Sequence, residues 1–251
     1  MPLGELSVVA PAYNEAEGIA PVVERWLGYL AGRFPRGKYE VVVCNDGSKD
    51  ATGEILGAIA ERDPALRVVT HVKNQGAAAA VTTAIRNSTK AWVLLIDSDG
   101  QFPIENVERF ESDWQEGTKA YLGIRVGKKD TPFARIGSWG SGQICNLVHH
   151  AHVADFNSAF KLVDGPTLRS IHLEAKGLNY STEVTSRLLE RGIVPREVPI
   201  EHRPREKGQS SMRAVRGAID RALFVSYIGF RQLLLRRQVI RVAERVDDGR
   251  P

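Results

Sequence analysis

Two rhythms of apolar positions run through the first hundred residues. Apolar stretches at Leu6–Ala10, Tyr39–Cys44, Leu66–His71 and Ala91–Ile96, rich in β-branched residues, read as strands, the last as one covered on both faces. Between them, "EAEGIAPVVERWLGYLAGRF", "DATGEILGAIAERD" and "QGAAAAVTTAIRNS" space their apolar residues near 3.6 and have helical length. This β-α-β-α-β-α-β order predicts an α/β domain with a largely parallel sheet and right-handed crossovers. Beyond Pro103 the pattern predicts a helix over "IENVERFESDWQEG" and a strand at "KAYLGIR". Next come a loop at "VGKKDTP", a helix from Arg135 to His150, a strand near "DFNSAFKLVD", a helix at "STEVTSRLLERG" and a strand at "IVPREVPIEHRP".

The fourth strand runs through Trp92, Val93, Leu94, Leu95 and Ile96 straight into Asp97 and Asp99. Ligands of open α/β sheets bind outside the carboxyl ends of the strands, so this is a site position on topology alone. Two carboxylates held together repel, and a divalent cation removes that repulsion. Mg²⁺ takes one or two carboxylates plus substrate phosphates, which points to a metal bound to diphosphate. The competing reading is a helix start, with Asp97 or Asp99 as N-cap and Pro103 in the first turn.

Composition narrows the class without naming the chemistry. At 251 residues and 43% hydrophobic, the chain buries a full core and does not read as disordered. Two cysteines, Cys44 and Cys145, form neither a disulfide framework nor a zinc spacing. The opening "MPLGELSVVAPAYNE" has no basic region before its apolar run, so no signal peptide is expected and a cytoplasmic location is. The net charge of +4 is modest, but arginines cluster from Arg196 onward, which suits an anionic partner such as phosphate or a membrane surface. A nucleic-acid role is not expected, since no recognition-helix motif, stacking-aromatic set or zinc module is present. "HHAH" (His149, His150, His152) lacks a flanking carboxylate pattern and reads as a helix end rather than a metal site.

Five motifs in order, "SVVAPAYNEAEGI", "VVVCNDGSKDAT", "NQGAAAAV", "VLLIDSDGQFP" and "EVPIEHRPREKGQSS", resemble the family 2 glycosyltransferases, and most closely the dolichyl-phosphate mannose synthase and polyprenyl-phosphate glycosyltransferase group. The resemblance covers roughly Leu6 to Met212. It implies a GT-A (Rossmann-like) fold, a mixed, mostly parallel central sheet flanked by helices. It divides the chain into a glycosyltransferase domain over 1–211, with a nucleotide and metal half (1–103) and an acceptor half (104–211), followed by a C-terminal basic amphipathic helical segment over 212–251. The implied reaction is inverting, metal-dependent transfer of mannose, glucose or a similar sugar from a GDP- or UDP-sugar to a polyprenyl phosphate.

Residue by residue, the resemblance assigns Pro11, Tyr13, Glu15, Asn45, Asp46, Asp97 and Ser98 to the nucleotide-sugar. It assigns Asp97 and Asp99 to Mg²⁺ or Mn²⁺, and Gln101 to the sugar or phosphate. Arg125, Arg135 and Ser138, with Asn146 nearby, are the acceptor-phosphate candidates, and Asp155 and Ser158 belong to the element similar to Asp-x-x-Ser-Gly-Phe. Arg205 meets the diphosphate as the "RPREKGQSS" loop closes, with Gly208 permitting the turn. Glu183 is the base if the acceptor is a hydroxyl; a phosphate acceptor needs none, and Glu183 is then structural. The chain departs from the family at Asn45, Ala77, Ala159 and Ser211, which keeps open an inactive nucleotide-sugar or membrane-binding module.

The C-terminal "MRAVRGAIDRALFVSYIGFRQLLLRRQVIRVAERV" interleaves arginines with Leu, Phe, Tyr and Ile. Its longest nearly uncharged run, Ala222 to Phe230, is far short of the roughly 20 residues that span a bilayer. It reads either as an amphipathic helix lying peripherally on the inner face of the membrane, or as a helix packed on the domain or against a second subunit in a homo-oligomer.

Overall fold

The computed structural model describes residues 3–126, 132–175, 179–203 and 214–237. The first half follows the predicted alternation: β1 (Leu6–Ala12), α1 (Ile19–Arg33), β2 (Tyr39–Asn45), α2 (Thr52–Arg62), β3 (Leu66–Thr70), α3 (Ala77–Arg86) and β4 (Trp92–Leu95). A 3₁₀ turn (Ile104–Asn106), α4 (Val107–Ser112), β5 (Ala120–Val126), α5 (Pro132–His149), β6 (Lys161–Asp164), α6 (Gly165–Ser170), α7 (Tyr180–Glu190), β7 (Arg196–Glu201) and α8 (Ala214–Arg236) follow.

These strands form one seven-stranded sheet in the order β3-β2-β1-β4-β6-β5-β7. β6 pairs antiparallel with β4 and β5, whereas the other neighbouring strands pair in parallel. The chain winds outward from β1 to β3 and then returns to place β4 on the other flank of β1, so a crevice opens at the β1/β4 reversal. Because β6 alone is reversed, the carboxyl ends of β1, β2, β4, β5 and β7 share one edge with the turn that leads into β6.

Continuous aliphatic runs become strands here because both faces of the sheet are covered. β2 is buried from Glu40 to Asn45, and Val8, Val9 and Ala10 of β1 are buried in succession. α1 buries Ile19, Val23, Trp26, Leu27 and Leu30, the face its 3.6 spacing marked out. The opposite, amino edge of the sheet carries a closed polar knot. Ser7 donates to Glu40 Oε1 at 2.6 Å, and Thr89 donates to the same oxygen through its N–H at 2.5 Å and its hydroxyl at 2.9 Å.

Three local expectations are revised. The strand near "DFNSAFKLVD" is confined to Lys161–Asp164, because residues 155–159 form a turn closed by Asp155 accepting from Asn157 N at 3.2 Å. α6 was not anticipated: Asp164 caps it by accepting from Thr167 N at 3.0 Å, with proline in its first turn. Neither Asp97 nor Asp99 caps a helix, since the chain passes through Pro103 into the 3₁₀ turn instead.

The carboxyl-terminal helix packs on the domain through one face and shows its other face to solvent. Phe224, Val225 and Ile228 of α8 join Leu122, Cys145, Val153 and Phe156 in a second apolar cluster. Both cysteines are buried and unpaired, and burial pushes each thiol up to about 12. Among the described residues, no helix is long and apolar enough to cross a membrane.

Candidate active site

Two loops at the carboxyl ends of β1 and β2 are laced together. Asn14 N donates to Ser48 Oγ at 3.0 Å, Lys49 N to Asn14 Oδ1 at 2.9 Å, Glu15 N to Thr52 Oγ1 at 2.8 Å and Ala16 N to Asp50 Oδ2 at 3.1 Å. Asn14 sits at φ 54, a left-handed conformation that asparagine tolerates. The lacing holds Pro11, Tyr13 and Glu15 along the edge of the crevice, each partly exposed.

Asn45 and Asp46 divide their work differently from the sequence expectation. Asn45 makes an Asx-type turn, its Oδ1 accepting from Ser48 N at 3.2 Å. Asp46 is 1% exposed and spends its carboxylate on the loop after β3. It accepts from Gln75 N at 2.9 Å, Gly76 N at 2.7 Å and the His71 ring at 2.7 Å. Its observed role is to pin residues 71–76 beside the crevice, not to face an open ligand position. The other nitrogen of His71 lies 2.9 Å from Thr83 Oγ1 on α3, so the histidine bridges loop and helix.

At the end of β4, Asp97 and Asp99 are both partly exposed. Asp97 Oδ1 accepts from the Tyr180 hydroxyl, Ser98 Oγ donates to Pro11 O at 2.7 Å, and Asp99 Oδ1 accepts from Gln101 N at 3.1 Å. Burial first, then the charges of Asp97 and Asp99, hold the Tyr180 phenol well above its ordinary value. Two hard oxygen donors two positions apart in the chain, both partly exposed at one strand end, fit a divalent ion whose remaining ligands are phosphate oxygens. Among the described residues, no group of three or more His, Cys, Asp or Glu side chains forms such a cage.

The second half of the chain is tied to this loop. Gln101 Nε2 donates to Arg203 O at 3.2 Å and Arg203 N to Gln101 O at 2.8 Å, while the Phe102 ring meets His202 edge-on at 4.9 Å. The "RPREKGQSS" segment therefore departs from beside Gln101; Arg205, Lys207 and Gly208 lie outside the described residues.

Arg125, at the end of β5, gives Nε and Nη2 to the two oxygens of Asp155 at 2.8 and 2.9 Å. That fork fixes the plane of the guanidinium. Asn146 closes a loop by donating to Val153 O and accepting from Val153 N. Arg135 and Ser138 belong to α5, and their side chains lie outside the described residues. Beneath the 155–158 turn, Lys161 is fully buried; it donates to Phe156 O at 3.3 Å and Thr185 Oγ1 at 3.0 Å. Burial lowers its pKa to about 7.

Glu183 is 1% exposed and its oxygens are taken. They accept from Glu174 N at 2.9 Å, Ala175 N at 2.6 Å and Arg187 Nη2 at 2.6 Å. In this arrangement Glu183 holds α7 to the 174–175 backbone and has no open oxygen to receive a proton. Tyr180, His71 and Lys161 were not singled out from the sequence. Their partners lie 83, 25 and 24 residues away, and no local spacing announces them.

Residues 7–163 match the Glycosyl transferase family 2 profile. The chain belongs to that family. Among family 2 relatives, a dolichyl-phosphate beta-glucosyltransferase of Trichomonas vaginalis is 28% identical over 86% of this chain and 68% of its own length. The human dolichyl-phosphate beta-glucosyltransferase is 36% identical over 44% of this chain and 36% of its own length. A bactoprenol glucosyl transferase of Shigella phage SfX is 35% identical over 48% and 39%. The matched stretches thus span from about a third to about two thirds of these relatives. In fold, the chain is similar to glucosyl-3-phosphoglycerate synthase from Mycobacterium tuberculosis, solved in complex with Mn²⁺, uridine-diphosphate and glucosyl-3-phosphoglycerate. The TM-score is 0.64 at 19% identity, covering 92% of this chain and 79% of that one. A family 2 member with this GT-A architecture is a glycosyltransferase.

Proposed function

We propose that this family 2 enzyme transfers a hexose, glucose by analogy with its relatives, from a UDP- or GDP-sugar to a polyprenyl phosphate at the surface of a membrane, with inversion at the anomeric carbon. The observation that carries the reading is convergence on one sheet edge. The laced β1/β2 loops, the Asp97/Asp99 pair, the oriented Arg125 and Arg203, paired with Gln101, lie along it. The relatives named for dolichyl phosphate and bactoprenol support the acceptor class.

In this reading Tyr13 and Glu15 flank the nucleoside, and Asp97 and Asp99 hold Mg²⁺ or Mn²⁺. Bound there, the ion offsets the charge of the donor diphosphate. Arg125, locked by Asp155, presents an oriented cation to the acceptor phosphate. An oxygen of that phosphate attacks the anomeric carbon. The bond to the diphosphate breaks on the opposite side, and its electron pair leaves with the nucleoside diphosphate. Arg205, by its place in the family motif, meets that growing charge. An acceptor phosphate is already anionic, and the engagement of both Glu183 oxygens agrees with a reaction that needs no base.

The membrane surface is supported by the α5–α8 pair. Among the described residues, six of the nine exposed large hydrophobic side chains lie there: Trp139, Ile144, Leu147, Leu223, Phe230 and Leu233. Arg216, Arg221, Arg231 and Arg236 accompany Asp220 along α8. Apolar side chains among arginines suit an interface with anionic headgroups. Incubation with labelled UDP- or GDP-hexoses, vesicles and polyprenyl phosphate, followed by organic extraction, tests the reading. Label in the lipid phase supports it; label confined to soluble glycans moves the acceptor to a hydroxyl.

A further inference from the structure

α7 enters the molecule with its first side chain pointed at the donor carboxylates. Tyr180 is 2% exposed, its ring sits in the main apolar core, and its hydroxyl donates to Asp97 Oδ1 from 83 residues away. Packing alone explains the ring, but a phenylalanine would pack as well. What the hydroxyl adds is a directed hydrogen bond to a carboxylate at the strand end, and such charge-assisted bonds fix both plane and rotamer.

The donor is itself braced. Ser181 Oγ donates to Phe156 O at 3.2 Å and also to Ser158 O. Thr182 Oγ1 donates to Asn157 Oδ1 at 2.9 Å, and Glu183 grips the 174–175 backbone and Arg187. Four successive residues from Tyr180 thus anchor α7 to the β4 end, the 155–158 turn and the 174–175 segment.

We propose that Tyr180 is a positioning residue for the donor site: its hydroxyl holds Asp97 in the orientation that binds the divalent cation and nucleoside diphosphate. The proposal rests on the reading of Asp97 and Asp99 given above. It assigns Tyr180 no contact with the reacting atoms. It also gives α7 a double duty, since the same helix supports the turn that carries Asp155 and so orients Arg125.

The test is calorimetric titration of wild type and Tyr180→Phe with Mn²⁺ plus UDP, and with Mn²⁺ plus GDP, alongside thermal unfolding. The expected result is nucleotide·Mn²⁺ binding weakened about tenfold, or about 1.4 kcal/mol, with the melting temperature changed by no more than about 4 °C, the shift for about 1 kcal/mol in a domain of this size. Replacing Tyr180 by 4-aminophenylalanine, which keeps a donor at the same place, restores affinity and guards against a phenylalanine variant that folds poorly. In an Asp97→Asn background the Tyr180→Phe effect shrinks to near zero, because the two residues act as one unit. Equal affinity of wild type and Tyr180→Phe overturns the proposal, as does an undiminished effect in the Asp97→Asn background. If wild type binds neither nucleotide with Mn²⁺, the donor-site reading itself fails.

Discussion

Replacing Lys161 by methionine removes a charge from beneath the 155–158 turn while nearly preserving volume. The ammonium is fully buried and faces Phe156 O and Thr185 Oγ1; Asp155 and Glu197 favour its charge, and Arg125 opposes it. The change strands neither partner, because Phe156 O still accepts from Ser181 Oγ and Thr185 Oγ1 still donates to Ser181 O. Burial moves the lysine from an ordinary 10.5 to about 7. At about 1.36 kcal/mol per pH unit this drop is equivalent to roughly 5 kcal/mol as an upper figure. The sign follows from proton counts. Between the folded and unfolded values the unfolded chain holds a proton that the fold has released, so wild-type stability rises as pH rises from about 7 towards 10.5 and is lost as pH falls. Against Lys161→Met, urea unfolding at about pH 6 and about pH 10 shows wild type gaining several kcal/mol relative to the variant at the higher pH. At the lower pH the variant matches or exceeds wild type. Parallel stability curves for the two proteins refute the reasoning and mean that Asp155 fully compensates the buried charge.

Gly47 sits at φ 66, and a Cβ there lies 2.5 Å from the Lys73 backbone carbonyl carbon. Gly47→Ala therefore displaces the pinned 71–76 loop and costs about 1–3 kcal/mol, read as a lower melting temperature together with weaker nucleotide binding. Ser7→Ala acts at the opposite edge of the sheet. Removing the donor to Glu40 costs about 1–3 kcal/mol and leaves the Michaelis constants for donor and acceptor unchanged in steady-state assays. Glu183→Ala leaves Arg187 buried without its nearest carboxylate and costs about 3–5 kcal/mol, measured by chemical denaturation. Its turnover per folded molecule stays within about threefold of wild type; a loss near 100-fold at unchanged stability instead assigns Glu183 to proton transfer.

The first half was legible because its strands are rich in apolar, β-branched residues and its helices keep their buried side chains at helical spacing. The second half was less so where polar groups are buried. "DFNSAFKLVD" has a strand's composition, yet Asp155 and Ser158 make a turn whose backbone is satisfied by Ser181 on a distant helix. The Asp164-Gly165-Pro166 start of α6 carried a readable cap and first-turn proline, but its six residues hold too little periodicity to announce a helix. Glu183 was a candidate base because it stands where related transferases place an acid. Its Arg187 partner at i+4 was visible in the sequence, whereas the backbone donors of Glu174 and Ala175 were not. Asp97 and Asp99 were found from the strand they end; Tyr180 and His71, which position the edge, depend on contacts that only the fold creates.

The central claim is a bond between an acceptor phosphate and the anomeric carbon, made at the Asp97/Asp99 edge. Phosphorus NMR of extracted polyprenyl phosphate after turnover tests it most directly, comparing wild type with Asp99→Asn. The account predicts that wild type converts the lipid monoester signal into a sugar phosphodiester of inverted anomeric configuration, and that Asp99→Asn does not. A lipid monoester left unchanged by wild type while sugar accumulates on a hydroxyl acceptor contradicts it.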